Sequence, residues 1–175
     1  AIIIGHSQFE RIPISDEKQE AMLQRQIDDL EMAIQSARYE QDGGHYTVKQ
    51  IEKTRKTLQT RLEKLNQKEK KDQVVTFEEL GVDHLYVDEA HSYENAFLYT
   101  KMRNVAGIAQ NEAQKSADMF NKCQYLDEIT GGKGITFATG TPISNSMTEL
   151  YVMQRYLQNS KLQNMGLGLF DSWAS

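Results

Sequence analysis

Hydrophobic positions divide the chain into two grammars. Leu23, Ile27, Leu30, Ile34 and Ala37 recur at alternating steps of four and three. After Gly43-Gly44 the rhythm resumes at Val48, Ile51, Arg55, Leu58, Leu62 and Leu65, with Arg55 the one polar intruder. Two heptad-spaced helices around a glycine turn predict an antiparallel hairpin, each arm roughly 35–40 Å long at 1.5 Å per residue. Ser15 is the expected N-cap, with Asp16 and Glu17 favourable in the first turn. Outside residues 15–72 the apolar residues come in short runs instead. Ile2-Ile3-Ile4 reads as a buried strand with Gly5-His6-Ser7 as its loop, and Pro13 then breaks the chain.

Further along, Leu85-Tyr86-Val87 runs into Asp88-Glu89-Ala90-His91, and Ile135-Thr136-Phe137-Ala138 opens into Thr139-Gly140-Thr141-Pro142. Thr76-Phe77-Glu78-Glu79 has capping-box spacing and starts a short helix stopped by Gly81. Residues 92–108 lack a period and predict a long loop. Residues 109–130 read as a helix, with Ala113, Ala117, Phe120, Leu126 and Ile129 available to a core. Gly131 to Gly134 make the turn into the second strand. Ser146 and Glu149 cap a helix carrying Leu150, Met153 and Leu157, and a further helix could begin near Phe170. Alternating strand and helix predict an α/β domain with a parallel sheet, residues 1–14 and 73–175, interrupted by the hairpin at 15–72.

Composition narrows the options. At 175 residues and 39% hydrophobic, the chain can bury one ordinary core and an appendage. No apolar run reaches the length of a membrane span, so no membrane is expected. One cysteine, Cys123, excludes an internal disulfide and suits a cytoplasmic protein. The ends, Ala1-Ile2-Ile3-Ile4 and Trp173-Ala174-Ser175, suggest a piece of a larger protein. With a net charge of −5, any DNA contact must come from local basic patches. Residues 16–40 hold three bases against seven acids, whereas residues 47–72 hold nine bases against four. Such asymmetry sets pairing across a helical seam, and Lys64, Lys68, Lys70 and Lys71 are candidates for DNA phosphate. The same hairpin could pair between chains.

Adjacent acids at a strand end can divide two tasks. Asp88 can hold a Mg²⁺ that bridges ATP phosphates, while Glu89, on the other side of the pleat, can orient and deprotonate water. His91 can hydrogen-bond across to the neighbouring strand end, where the hydroxyls of Thr139 and Thr141 can switch partners. Gly132-Lys133 is no phosphate loop, because the Gly-x-x-x-x-Gly-Lys-[Ser/Thr] pattern needs glycine at 127 and a hydroxyl at 134, where the chain has Asp127 and Gly134. Residues 1–175 alone are therefore expected not to hydrolyse ATP.

Three blocks, in order, resemble the superfamily-two DEAH-box helicases and translocases of the SWI/SNF-like group. They are Ile2 to Glu10, Asp88-Glu89-Ala90-His91 with Asn95 after it, and Thr139-Gly140-Thr141-Pro142-Ile143 with Asn145, Glu149 and Leu150. The hairpin is reminiscent of large helicase proteins linked to methyltransferase domains on bacterial mobile elements. The resemblance implies a partial RecA-like P-loop NTPase sheet and an ATP-dependent parent enzyme acting on DNA. It makes Glu89, Asp88 and His91 catalytic, with Asp88 the Mg²⁺ ligand. Thr139, Gly140 and Thr141 become the coupling turn, and His6 and Ser7 a DNA contact. The phosphate loop and second lobe would lie in the rest of the parent helicase. Glu94 departs from the group's usual lysine, and His6-Ser7 replaces a Thr-Thr pair. A different class stays open: a non-enzymatic interaction module with relic ATPase motifs.

Overall fold

A computed structural model describes residues 1–39, 44–67, 74–96, 98, 100, 114–144 and 146–175. The expectations for Gly43, Lys68, Lys70, Lys71, Asp72, Ala113, Asn145 and most of the loop at 92–108 lie outside the described residues. The chain forms two compact units, Ala1–Ile14 with Val75–Ser175, and Ser15–Val74.

The second unit is a pair of helices, α2 (Asp16–Tyr39) and α3 (Gly44–Asn66). Ser15 Oγ accepts the Lys18 N–H at 3.3 Å, which satisfies one otherwise orphaned donor of the first turn. Met22, Ile27, Leu30, Ala33 and Ile34 of α2 and Ile51 and Leu58 of α3 are buried. Polar pairs fix the direction: Arg38 donates to Glu52 at 3.1 Å and Arg55 to Glu31 at 3.3 Å. Partners descend on one helix as they rise on the other, so the arms are antiparallel. Arg55, the polar residue in the seam, is thereby answered by an acid of the facing helix.

In the first unit, α1 (His6–Phe9) is followed by a 3₁₀ turn at Glu78–Leu80, β1 (Leu85–Val87), a 3₁₀ turn at Ala90–Tyr93, α4 (Gln114–Thr130), β2 (Ile135–Phe137), α5 (Met147–Asn164) and α6 (Phe170–Ala174). The strands pair in parallel, with Leu85 opposite Ile135 and Val87 opposite Phe137. Val87, Phe77, Tyr93, Cys123, Leu126, Val152 and Tyr156 belong to one core.

The expected RecA-like P-loop NTPase sheet is overturned. The protein is mostly helical, and its described sheet has two strands of three residues each. An apolar run becomes a strand only where neighbours complete its hydrogen bonds and cover it. Ile2-Ile3-Ile4 finds neither: it has no strand structure, and Ile3 is fully exposed. The expected loop at His6-Ser7 is instead helical, in α1. A parallel sheet normally has both faces covered, but Tyr86 is 74% exposed. Ile129, expected to be available to a core, is exposed as well.

Polar details tie the elements together. Thr76 N–H donates to the Glu79 carboxylate at 2.7 Å, and Gly81 ends that turn in the left-handed region at φ 63°. Phe77 N–H donates to Pro13 O at 2.8 Å, joining the unit's two chain segments. Ser146 caps α5 by accepting the Thr148 N–H at 3.2 Å. Inside α5, Gln158 leaves helical geometry, after which Asn159 bonds Gln124 and Ser160 bonds Asp127 of α4. No described helix is long and apolar enough to cross a membrane.

Candidate functional site

The site forms where both strands end. Ala138 N–H donates to Val87 O at 2.8 Å, and Ala90 N–H returns the bond to Ala138 O at 3.1 Å. The turn after β1 and the turn after β2 are therefore stitched together at the same edge of the pair. Glu89, the first residue beyond Asp88, adopts φ 51° and ψ 44°, the one positive φ outside glycine among the described residues. A left-handed glutamate is costly, and such strain collects where function requires a particular geometry. Its N–H donates to Asp88 Oδ1 at 3.0 Å, which steadies the turn.

The reversal brings Glu89 Oε2 to 3.1 Å from His91 Nδ1. The same Nδ1 lies 3.2 Å from Thr139 Oγ1, and Thr139 Oγ1 accepts the Thr141 N–H at 3.2 Å. One imidazole nitrogen thus faces two partners. Protonated, it donates to the Glu89 carboxylate or to the threonine oxygen; bare, it accepts from the threonine hydroxyl and loses the carboxylate bond. Strengthening either contact weakens the other. Gly140 sits in open space, where a Cβ would meet nothing within 4 Å.

Asp88 and Glu89 are both exposed. No group of three or more potential metal ligands exists among the described residues. Two neighbouring carboxylates still fit Mg²⁺, which commonly takes one or two acids and completes its shell with water and substrate phosphate oxygens.

Around this line stand three further polar residues, of which Tyr156 belongs to none of the motif blocks. Glu149 Oε2 accepts Ser144 N–H at 2.6 Å and its hydroxyl at 3.2 Å, holding the chain after Pro142. Glu94 has one buried carboxylate oxygen without a hydrogen-bond partner. Burial raises its pKa above the ordinary 4.5, Glu149 adds to the rise, and His91 opposes it. The Tyr156 hydroxyl lies 3.0 Å from both Tyr93 O and Ser116 O, and its ring packs 5.3 Å from Phe137. It pins the turn of His91 against α4 and β2.

His6 and Ser7 are not joined to the line from Glu89 to Thr141. The His6 ring is 5.5 Å from Tyr93, and Ser7 Oγ donates to Gln8 at 3.1 Å. Their helix is anchored by Lys122, fully buried, which donates to Phe9 O at 3.0 Å and to Asp118 while lying over the Phe9 ring. An Asp four residues before a Lys, amid Met119, Cys123 and Leu126, was the available signal for this anchor. Lys64 lies near the end of α3, in the other unit. The decoy at Gly132-Lys133 is a turn: Gly131 and Gly132 have φ 62° and 81°. At Gly134 a Cβ would press within 3.0 Å of Thr130 and Asp83 O.

A strand-end acidic turn bridged through histidine to a threonine turn defines a class of site rather than a single protein. Residues 1–175 match the family model described as a probable helicase domain, and the chain belongs to that family. It is also similar to the Defense against restriction protein B of Escherichia phage P1, 27% identical over 172 residues. That match takes in 95% of this chain but spans 7% of the phage protein's length. No solved structure was found to match.

Proposed function

We propose that the chain carries the hydrolysis and coupling turns of an ATP-dependent DNA helicase or translocase of the DEAH-box, SWI/SNF-like group. The phosphate cradle would come from another segment of a longer protein. The observation that carries this reading is the continuous line Glu89, His91, Thr139, Thr141, with 3.1, 3.2 and 3.2 Å between successive polar atoms. It links an acid suited to activating water with a turn suited to reporting the result.

In this reading Asp88 would hold Mg²⁺, directly or through water. The ion, when bound, neutralises charge developing on the phosphoryl oxygens. Glu89 orients the attacking water and takes its proton. As the carboxylate gains that proton its hold on His91 weakens, so Nδ1 turns to Thr139 and the threonine turn is released or tightened. His6 and Ser7 supply hydrogen bonds to one DNA strand. The family match supports a helicase-type parent.

The test uses the full-length protein. Glu89→Gln should lower DNA-stimulated ATP hydrolysis by at least 10²-fold, the scale of a lost general base, while a fluorescent ATP analogue binds as before. Near-normal turnover in that variant would remove Glu89 from the water-activating role.

A further inference from the structure

Helix α3 carries a second charged surface, unrelated to the acidic turn. Lys49, Lys53, Lys56 and Lys64 are all exposed. At 3.6 residues per turn they fall within about 80° of one another, along roughly 22 Å of helix. Ile51 and Leu58, buried against α2, occupy the opposite side. Two acids of α3, Glu52 and Glu63, border the lysines on one side; Glu52 is tied to Arg38, and Glu31 of α2 to Arg55. None of the four side-chain ammonium groups has a hydrogen bond or ion pair among the described residues. The hydroxyls between them are already used, Thr57 on Lys53 O at 3.1 Å and Thr60 on Lys56 O at 2.9 Å.

We infer that this stripe docks the phosphate backbone of a nucleic acid. Spacing and composition choose the occupant. The face has no apolar side chain to bury, so a protein partner would lack the desolvated centre on which protein interfaces depend. A membrane would gain little, because the apolar side of α3 is occupied by α2. A regular polyanion needs nothing further: each phosphate neutralised by lysine releases counterions, and that suffices for sequence-independent binding. The chain's overall −5 means that any such attraction must come from a local basic surface. The stripe adds a grip outside the proposed motor turns and does not depend on their chemistry.

The experiment titrates a fluorescein-labelled 20-base-pair duplex with the whole 175-residue chain, without nucleotide, between 50 and 200 mM salt. Four phosphate contacts give a logarithmic salt slope near −3.6, so wild-type affinity should fall by ~10²-fold over that range. With Lys49, Lys53, Lys56 and Lys64 all changed to Gln, affinity at 50 mM should drop by a similar factor and the slope should flatten. Gln has nearly the helix propensity of Lys, so ellipticity should be unchanged. A scrambled duplex should bind as well as the first. Equal affinity and slope in wild type and variant overturn the proposal. So does competition by polyglutamate, or capture by phosphatidylserine vesicles, as strong as by duplex at equal charge. Because the readout is binding without ATP, its failure leaves the reading of Glu89 untouched, and the reverse also holds.

Discussion

The hairpin at Ser15–Val74 and the unit formed by Ala1–Ile14 with Val75–Ser175 reach stability by different routes. In the hairpin, one periodic seam of apolar residues does most of the packing, interrupted by Arg55, which pairs with Glu31 of the facing helix. The other unit mixes aromatic with aliphatic residues in its core and pins it with buried polar groups. Tyr156 reaches two carbonyls, and Lys122 holds Phe9 O beneath a carboxylate and a ring. A seam tolerates register errors one turn at a time. An anchor such as Lys122 has no substitute.

The largest expected effect is therefore at Lys122. Replacing it with Met keeps most of the apolar stem but strands Asp118 and Phe9 O, at a cost of about 4 kcal/mol. Trp173, the sole tryptophan, packs on Tyr151 and Phe170 and reports on this unit alone. Lys122→Met should move the urea midpoint of its fluorescence and leave part of the ellipticity transition in place. Next comes Ile51→Ala, which empties a fully buried position in the hairpin and should cost about 3 kcal/mol. Here the ellipticity should become biphasic, since α2 and α3 contribute 24 and 23 helical residues, while Trp173 stays put. If either variant shifts both probes together, the two units unfold as one and the contrast between them fails.

The same contrast explains what the residues disclosed in advance. The hairpin was legible because a four-three rhythm has one physical meaning over many turns. The strand pair was legible because three apolar residues closed by acids, and three more opening into Thr-Gly-Thr-Pro, carry chemistry as well as period. Ile2-Ile3-Ile4 misled, since a short apolar run says nothing about whether a neighbour strand exists to receive it. The wider parallel sheet inferred from that run and from family likeness was lost for the same reason. Ile129 misled by its place rather than its phase: it follows Lys122 and Leu126, both buried, on the same side of α4, but it stands one residue from the helix end and is exposed. At the site, the composition of the two turns was readable. The left-handed backbone of Glu89, the grip of Glu149 on Ser144 and the burial of Lys122 depend on tertiary contacts and left little trace.

The smallest effect tests whether a buried carboxylate oxygen without a hydrogen-bond partner costs the first unit stability. Glu94 has a buried, unpartnered oxygen and a pKa raised first by desolvation and then by Glu149. In the native state it binds a proton more readily than in the unfolded chain. Its contribution is thus favourable below its unperturbed 4.5 and is lost as pH rises through the elevated native value. Glu94→Gln removes the charge while keeping the shape, so the variant should melt slightly above wild type at pH 7. The gap should close near pH 4, where Glu94 is protonated in both states. Asp118, also raised by burial, titrates in both proteins and cancels in the comparison. A variant that melts lower at pH 7 would mean that the charge is held by an attraction, through His91 on the same turn, and that Glu94 steadies the histidine rather than burdening the fold.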